Sequence, residues 1–216
     1  MLQAVVFDMD GLLVDSEPVW FEARRALLQR YGKTWTDTDQ ERQMGVRTST
    51  WVDYVAGMLE GAMRPDEVLD SIVGIMAASY ERGDVPLLAG AAEALEYCVG
   101  RYRVGLASGS PRLLIDAALT GAGWHRYFEE VVSSDECAHG KPAPDVYQEI
   151  MRRMGLNPDA TVVVEDSPAG ILAGKAASMR VIAIPRGYTA PDDPAIGQAD
   201  ACLESLLELP EALRRM

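Results

Sequence analysis

The segment Ala4–Gly11 places two carboxylates, Asp8 and Asp10, directly after four apolar residues. The apolar run predicts a short buried strand, and Gly11 permits a sharp turn after it. Carboxylates at the end of a buried strand are costly to desolvate unless a cation or hydrogen bonds compensate. In an open α/β sheet, ligands bind at the carboxyl ends of the strands. The segment therefore indicates a ligand site, although a strand that runs into an acidic solvent turn stays open.

A second acidic pair, Glu165 and Asp166, follows the three valines Val162–Val164, which predict another buried strand. Ser167 and Pro168 then favour the start of a helix. If the two strands are neighbours, several carboxylates converge, and they raise one another's pKa unless a hard cation neutralises them. Oxygen ligands without a nearby histidine point to Mg²⁺ rather than zinc or iron. The alternative is that these acids only cap the helix.

Two further segments have the residue types that bind a phosphoryl group. The turn Ser108-Gly109-Ser110 follows a predicted strand, and we expect Ser110 to cap a helix that begins at Pro111. Its amides would face the positive end of that helix, which suits a phosphate. Lys141 lies between a glycine and a proline, so its backbone is restricted and its ammonium can reach a chosen phosphoryl oxygen. Each segment also has a plainer interpretation, a structural turn and a solvated loop lysine.

The elements that must position these residues alternate between strand and helix patterns. The predicted strands after the first are Arg103–Ala107, Val131–Ser133, Thr161–Val164 and Val181–Ile184. Helix-length stretches such as Leu113–Thr120 and Val146–Met154 separate these later strands, and this alternation predicts a parallel sheet with helices on both faces. Before Arg103 only helical patterns follow the first strand, namely Val19–Tyr31, Thr50–Leu59 and Pro65–Tyr80. We therefore predict an α/β core over 1–15 and 83–216, with a helical cap over 16–82.

Composition limits the partners of the chain. Its 216 residues suit one domain, or one domain with an insertion. The net charge of -13 disfavours nucleic acid and anionic membranes, so any phosphate site needs local positive groups or a metal. The three cysteines are widely spaced and predict thiols of a reducing compartment. The first strand leaves no room for a signal peptide, and no apolar run approaches the ~20 residues of a membrane span. We expect a cytoplasmic protein.

Together, the order and type of the four segments resemble the haloacid dehalogenase superfamily of phosphotransferases. Its motifs are DxD on strand one, serine or threonine on strand two, lysine before the fourth strand and an acidic pair after it. The resemblance covers essentially the whole chain, and Phe7–Trp20 is especially similar to sugar-phosphate phosphatases of the β-phosphoglucomutase-like and 2-deoxyglucose-6-phosphatase branch. It implies a Rossmann-like sheet in the order 5-4-1-2-3 with an inserted helical cap.

The resemblance also implies chemical roles. Asp8 would be the nucleophile that forms an aspartyl-phosphate. Asp10 would protonate the leaving oxygen and then take a proton from the attacking water. Mg²⁺ would be held by the Asp8 carboxylate, the Asp10 main-chain carbonyl and Asp166, with Glu165 in support through water. The implied enzyme is a Mg²⁺-dependent phosphatase of small phosphomonoesters such as sugar or sugar-alcohol phosphates, and we expect it to be a monomer.

The remaining implied roles concern binding. Ser108 and Lys141 would bind the phosphoryl oxygens and stabilise the developing charge, together with the turns at Gly11, Gly109 and Ser110. Cap residues would choose the substrate, and the candidates on segments that face the core are Glu17, Trp20, Met44, Arg47 and Trp51. Arg47 is the first candidate, because Met44–Arg47 resembles the specificity loop of the family, and Arg112 is a further candidate near the phosphate.

Two other functions stay open. Mutases of this branch have a histidine at the position of Trp20, and tryptophan does not relay protons, so the resemblance to the mutases is incomplete. A non-enzymatic protein on the same fold would have no reason to keep all four polar segments. Dehalogenases lack the second aspartate and use no metal, so Asp10 argues against that chemistry.

The sugar itself is open: hexose 6-phosphates, deoxyhexose phosphates and hexitol phosphates all fit.

Overall fold

A computed structural model describes residues 2–43, 48–187, 189–190 and 192–216. Within them, six strands form one sheet in the order β3-β2-β1-β4-β5-β6, and each neighbouring pair is parallel. The strands are β1 (Ala4–Phe7), β2 (Arg103–Ser108), β3 (Glu130–Ser133), β4 (Thr161–Glu165), β5 (Arg180–Ala183) and β6 (Ala201–Cys202). The predicted α/β fold and the order 5-4-1-2-3 are confirmed, and β6 extends the sheet beyond β5.

The helices follow the predicted distribution closely. The described part of the region predicted as the cap contains α1 (Glu17–Arg30), α2 (Asp37–Gln43), α3 (Thr48–Met58) and α4 (Pro65–Glu81). Three of these helices were predicted from the sequence, and α2 was not. The others connect or follow the strands of the sheet: α5 (Ala91–Cys98), α6 (Arg112–Ala122), α7 (Asp145–Met154), α8 (Pro168–Ala176) and α9 (Leu209–Arg215). No helix of the described residues is long and apolar enough to cross a membrane.

Alternate residues of the strands enter two different apolar cores. Val5 and Phe7 of β1 belong to a core that includes side chains of α5, α6 and α9. Val6, between them, belongs to a second core with side chains of α7 and α8. Successive side chains of a strand point to opposite faces of the sheet, so both faces are covered by helices.

The segment that leads from β1 to α1 and the segment that follows α4 lie side by side. The amide of Asp15 donates to the carbonyl of Pro86 at 2.7 Å, and the amide of Leu88 donates to the carbonyl of Leu13 at 3.0 Å. These bonds lie near the two predicted boundaries of the cap, at 15–16 and 82–83. The division into core and cap itself stays a prediction.

The helix α4 packs closely against α6, which is a helix of the sheet layer. Gly121 of α6 lies so close to α4 that a Cβ there would be 2.2 Å from the carbonyl oxygen of Tyr80. Only glycine permits that approach without a shift of the backbone. The contact fixes α4 against α6 at one end of the helical region.

The register of the sheet brings the polar segments to one edge. Phe7, the last residue of β1, is paired with Leu106 of β2 and with Val164 of β4. Because parallel strands end on the same side, the turns after these three strands lie next to one another. Gly11, in the first of these turns, has a φ of 77°, a left-handed conformation that favours glycine.

Candidate active site

Asp8 lies at the centre of this edge. Its amide continues the sheet by donating to the carbonyl of Val164 at 3.1 Å, which fixes the residue directly after β1. Its side chain is buried, and its Oδ1 accepts a hydrogen bond from Lys141 Nζ at 2.6 Å. Burial raises the pKa of Asp8 well above its usual value, Lys141 opposes the rise, and the nearby carboxylates add to it.

Lys141 reaches the site from the loop before α7. Its ammonium donates to Asp8, to Glu165 Oε1 at 2.6 Å and to the carbonyl of Ala107 at 3.2 Å. Burial by itself would lower the pKa of Lys141, but the charges of Asp8 and Glu165 raise it well above its ordinary value. The lysine is therefore a cation, buried between two carboxylates, rather than a solvated loop residue.

Glu165, the last residue of β4, is fully buried and firmly held. Its Oε1 accepts from Lys141 and from the hydroxyl of Tyr147 at 2.5 Å. Its Oε2 accepts from the amides of Asp166 and Ser167 and from the Ser167 hydroxyl, at 3.1, 3.3 and 3.1 Å. These donors orient the carboxylate toward Lys141 and compensate for its burial.

Tyr147 is a site residue that the sequence analysis missed. It lies on the buried face of α7 with Ile150 and Met154, and this spacing reads as ordinary core. Its hydroxyl nevertheless bonds to Glu165, and Lys141 Nζ lies 5.0 Å from the centroid of its ring. The available signal was the hydroxyl, because a buried tyrosine needs a hydrogen-bond partner.

Asp10 is held by the two serines of the turn after β2. The hydroxyls of Ser110 and Ser108 donate to Asp10 Oδ2 at 2.7 and 3.2 Å. The amide of Ser110 donates in turn to Ser108 Oγ at 3.0 Å. The predicted cap of α6 was wrong by one residue, because Pro111 is the N-cap and the helix begins at Arg112. Ser110 does not cap the helix because its hydroxyl is directed to Asp10.

Three of the four carboxylates of the two predicted acidic pairs converge. One oxygen each from Asp8, Glu165 and Asp166 lies within 4.8 Å of the others, and all three residues are buried. Three such carboxylates with one lysine among them would leave excess negative charge in a region of low dielectric. The donors are all oxygens, which is the set that Mg²⁺ prefers. The residues present therefore fit a hard divalent cation.

A cavity of about 690 Å³ opens onto this cluster. The predicted site residues that line it are Asp8, Asp10, Gly11, Glu17, Trp20, Gly109, Ser110, Lys141 and Asp166. Ser108 and Glu165 are fully buried and support these residues through hydrogen bonds. Thr189, Ala190 and Asp193 also line the cavity and were not predicted. They follow β5 in a segment without a recognisable motif.

The remaining candidates are placed elsewhere. Arg112 does not line the cavity, since its guanidinium is paired with Asp116 at 2.9 Å and with Glu136 at 3.2 Å. Trp51 is buried, and its ring centroid is 5.4 Å from that of Trp20. The candidates Met44 and Arg47 lie outside the described residues.

Comparison with known proteins finds hydrolases and phosphatases. The model of the haloacid dehalogenase-like hydrolase family matches residues 2–178. Hexitol phosphatase B of Escherichia coli K12 is 35% identical over 213 residues, which cover 95% of this chain and 93% of that protein. A phosphorylated carbohydrates phosphatase of Thermotoga maritima is 33% identical over 188 residues, which cover 84% of each chain.

A solved structure confirms the fold. The crystal structure of CbbY from Rhodobacter sphaeroides in complex with phosphate matches with a TM-score of 0.84 at 23% identity, covering 97% of this chain and 96% of that one. The family model and the phosphatases among the relatives support the predicted enzyme class, a phosphoric monoester hydrolase. The chain belongs to the haloacid dehalogenase-like hydrolase family.

Proposed function

We propose that this chain is a Mg²⁺-dependent phosphatase that hydrolyses sugar or sugar-alcohol phosphates through an aspartyl-phosphate. The observation that carries the proposal is Asp8, which lines the cavity, contacts Lys141 at 2.6 Å and belongs to the carboxylate cluster. A carboxylate held beside a fixed cation can attack an anionic phosphoryl group whose charge is neutralised locally. This arrangement also explains how a chain with a net charge of -13 binds an anion.

The reaction has two steps. In the first, an oxygen of Asp8 bonds to phosphorus, the bond from phosphorus to the leaving oxygen breaks, and Asp10 gives its proton to that oxygen. In the second, water attacks the phosphorus while Asp10 takes one of its protons, and inorganic phosphate leaves with Asp8 restored. Asp10 suits both transfers because it lines the cavity and its Oδ2 is held by Ser108 and Ser110.

Mg²⁺ would be held by Asp8, Asp166 and the main-chain carbonyl of Asp10. When bound, it supplies positive charge that neutralises the carboxylates and the phosphoryl oxygens. We assign Glu165 a supporting role, through water, because Lys141, Tyr147 and the start of α8 already occupy its oxygens. Lys141, Ser108 and the amides of Gly109 and Ser110 would bind the phosphoryl oxygens.

The leaving group would lie against α1. Glu17 and Trp20 line the cavity and offer a hydrogen-bond acceptor and an aromatic face, both suited to a polyhydroxylated molecule. The names of the relatives, a hexitol phosphatase and a phosphorylated carbohydrates phosphatase, agree with this substrate class. We propose that residues 16–82 act as the cap that closes over this leaving group.

Hydrolysis is favoured over mutase chemistry by Trp20. A mutase must pass the phosphoryl group of the aspartyl-phosphate to a second sugar oxygen, and the mutases of this branch have histidine at this position. The indole of Trp20 packs on Trp51 at 5.4 Å between ring centroids and is not a proton acceptor. Water is then the acceptor of the phosphoryl group.

A phosphate-release assay tests the proposal. Purified protein is incubated with Mg²⁺ and a panel of hexose, deoxyhexose and hexitol phosphates, together with phosphoglycolate and a nucleoside monophosphate. We expect release from the sugar or hexitol phosphates and none from any of them with Asp8→Asn. Conversion of β-glucose 1-phosphate to glucose 6-phosphate faster than phosphate release would establish a mutase instead. No turnover of any phosphomonoester would contradict the proposal.

A further inference from the structure

A buried arginine lies behind the wall that α1 contributes to the cavity. Arg24 is one turn after the cavity-lining Trp20 and only 4% exposed. Its guanidinium carbon lies 5.0 Å from the ring centroid of Trp20, 5.0 Å from that of Trp51 and 5.5 Å from that of Trp35. Cation–π contacts of this kind favour a cation at a fixed position. Three tryptophans thus hold Arg24 against the back of the cavity wall.

Hydrogen bonds from this arginine fix the orientation of one amide. Arg24 Nη1 donates to Gln40 Oε1 at 2.9 Å, and Trp35 Nε1 donates to the same oxygen at 3.0 Å. Both partners are donors, so the amide oxygen must face them and the amide nitrogen must face away. That nitrogen, Gln40 Nε2, donates to Glu17 Oε2 at 2.8 Å. Arg24 therefore fixes the orientation of the Gln40 amide, and that amide holds the carboxylate of Glu17, which lines the cavity.

The hydrogen bond from Gln40 and the charge of Arg24 both favour the carboxylate form of Glu17. Burial lowers the pKa of Arg24 to about 10, which leaves the guanidinium protonated at neutral pH. The pKa of Glu17 is raised overall, first by burial and also by the charges of Asp10 and Asp15, while the hydrogen bond from Gln40 and the charge of Arg24 oppose that rise in part. One oxygen of Glu17 accepts from Gln40, and no described side chain donates to the other, Oε1. Glu17 can therefore present Oε1 to a ligand in the cavity.

We propose that Arg24 and Gln40 are positioning residues that set substrate specificity by holding Glu17 as an acceptor for hydroxyl groups of the leaving group. The inference rests on the proposed phosphatase function and adds to it two residues that act on the leaving group through Glu17. A fixed carboxylate accepts hydrogen bonds from hydroxyls and repels a leaving group with its own carboxylate. The site thus selects neutral, polyhydroxylated leaving groups over anionic ones and over those without hydroxyls.

The variant Gln40→Glu tests this relay with little change of shape. Its carboxylate still accepts from Arg24 and Trp35, but it replaces the donor to Glu17 with a second acceptor. The probes are a hexitol 6-phosphate, which has hydroxyls, and phenyl phosphate, which has none. Loss of a hydrogen bond to a charged group predicts that kcat/KM for the hexitol phosphate falls roughly tenfold or more, mostly through KM, while phenyl phosphate changes less than about twofold. The exposed substitution Gln29→Glu on α1 is the matched control.

The exchange Glu17→Gln with Gln40→Glu tests whether Gln40 acts through Glu17. In this double variant the amide at position 17 donates to the carboxylate at position 40, and its oxygen is left for the substrate. We expect most of the preference for the hexitol phosphate to return, which a merely structural role of Gln40 would not produce. Equal losses for both probes in Gln40→Glu, with no recovery in the double variant, would overturn the inference.

Two controls distinguish a failure of this inference from a failure of the proposed phosphatase function. Circular dichroism establishes that each variant is folded, and if Gln40→Glu is not, Glu17→Gln alone must lower kcat/KM for the hexitol phosphate selectively. Wild-type protein that hydrolyses both probes without preference contradicts this inference and leaves the phosphatase intact. Wild-type protein that hydrolyses neither contradicts the proposed function itself.

Discussion

At the scale of single residues, the site depends on which polar groups compensate for each buried charge. Asp8, Lys141 and Asp166 could be predicted because charged residues directly after buried strands, or in a loop restricted by a glycine and a proline, are unusual enough to need a reason. Tyr147 could not, because its position on α7 fits an apolar core as well as a site. Gln40 could not either, because its contacts with Glu17 and Arg24 span 23 and 16 residues of sequence.

The first prediction concerns Asp10. The substitution Asp10→Asn removes the proton donor but keeps the side chain's size, so kcat should fall by roughly 10²–10⁴ while KM changes little. The measurement is steady-state phosphate release from the best substrate of the panel. Ser110→Ala is the control, because it removes only a hydroxyl that donates to Asp10, and its loss should be smaller. An Asp10→Asn variant with near wild-type kcat would remove Asp10 from the mechanism.

The second prediction concerns Tyr147. The substitution Tyr147→Phe keeps the ring beneath Lys141 and deletes the hydroxyl that donates to Glu165 Oε1. Loss of a hydrogen bond to a carboxylate predicts a decrease of about 1–3 kcal/mol in the free energy of unfolding, measured in urea. We expect Tyr31→Phe, at an exposed tyrosine, to leave that free energy unchanged. An equal effect of both substitutions would mean that the Tyr147 hydroxyl does not stabilise Glu165.

At the scale of elements, the strands β1–β5 could be predicted because each contains a short apolar run, whereas their order in the sheet was implied by the family resemblance. The helix α2 was missed because Asp37–Gln43 contains no apolar residue and so has no helical periodicity. Its start does carry a local signal, since Thr36 and Asp39 exchange backbone-to-side-chain hydrogen bonds at 2.9 and 3.2 Å. The strand β6 has two residues, too few for any pattern.

The third prediction concerns the start of α8. Gly170 lies so close to the end of β4 that a Cβ would be 1.8–2.1 Å from the carboxylate atoms of Glu165. The substitution Gly170→Ala must displace that carboxylate or the helix, so both thermal stability and phosphate release should fall. Gly74→Ala in α4, where nothing lies within 4 Å of the new Cβ, should be neutral or stabilise by up to about 1 kcal/mol. Similar melting temperatures for the two variants would contradict this account of the packing.

At the scale of the whole molecule, the charge of the chain and the charge of its site act in opposite directions. The net charge of -13 repels phosphate esters at long range, whereas Lys141 and a divalent cation would attract them at one point. The composition therefore predicts that affinity for substrate depends on the metal. It does not predict which sugar is bound, because that choice depends on side chains that the fold brings together from distant segments of the helical region.

The fourth prediction concerns the metal. Chelation by EDTA should abolish turnover, Mg²⁺ should restore it, and Ca²⁺ should substitute poorly because it favours larger and looser coordination. Mg²⁺ bound only to the folded chain should also raise the melting temperature, and the rise should be lost in Asp166→Asn. Asp159→Asn, at an exposed aspartate, is the matched control and should keep the rise. Full activity in EDTA would contradict the proposed metal site.

The central claim is that Asp8 carries the phosphoryl group during turnover, and a rapid-quench experiment tests it most directly. Enzyme with Mg²⁺ is mixed with an excess of the best sugar or hexitol phosphate, quenched in acid within milliseconds, and digested for mass spectrometry. We predict that the peptide containing Asp8 gains the mass of one phosphoryl group before steady state, and that no peptide of Asp8→Asn does. A phosphoryl group on another residue, or steady phosphate release by Asp8→Asn, would contradict the account.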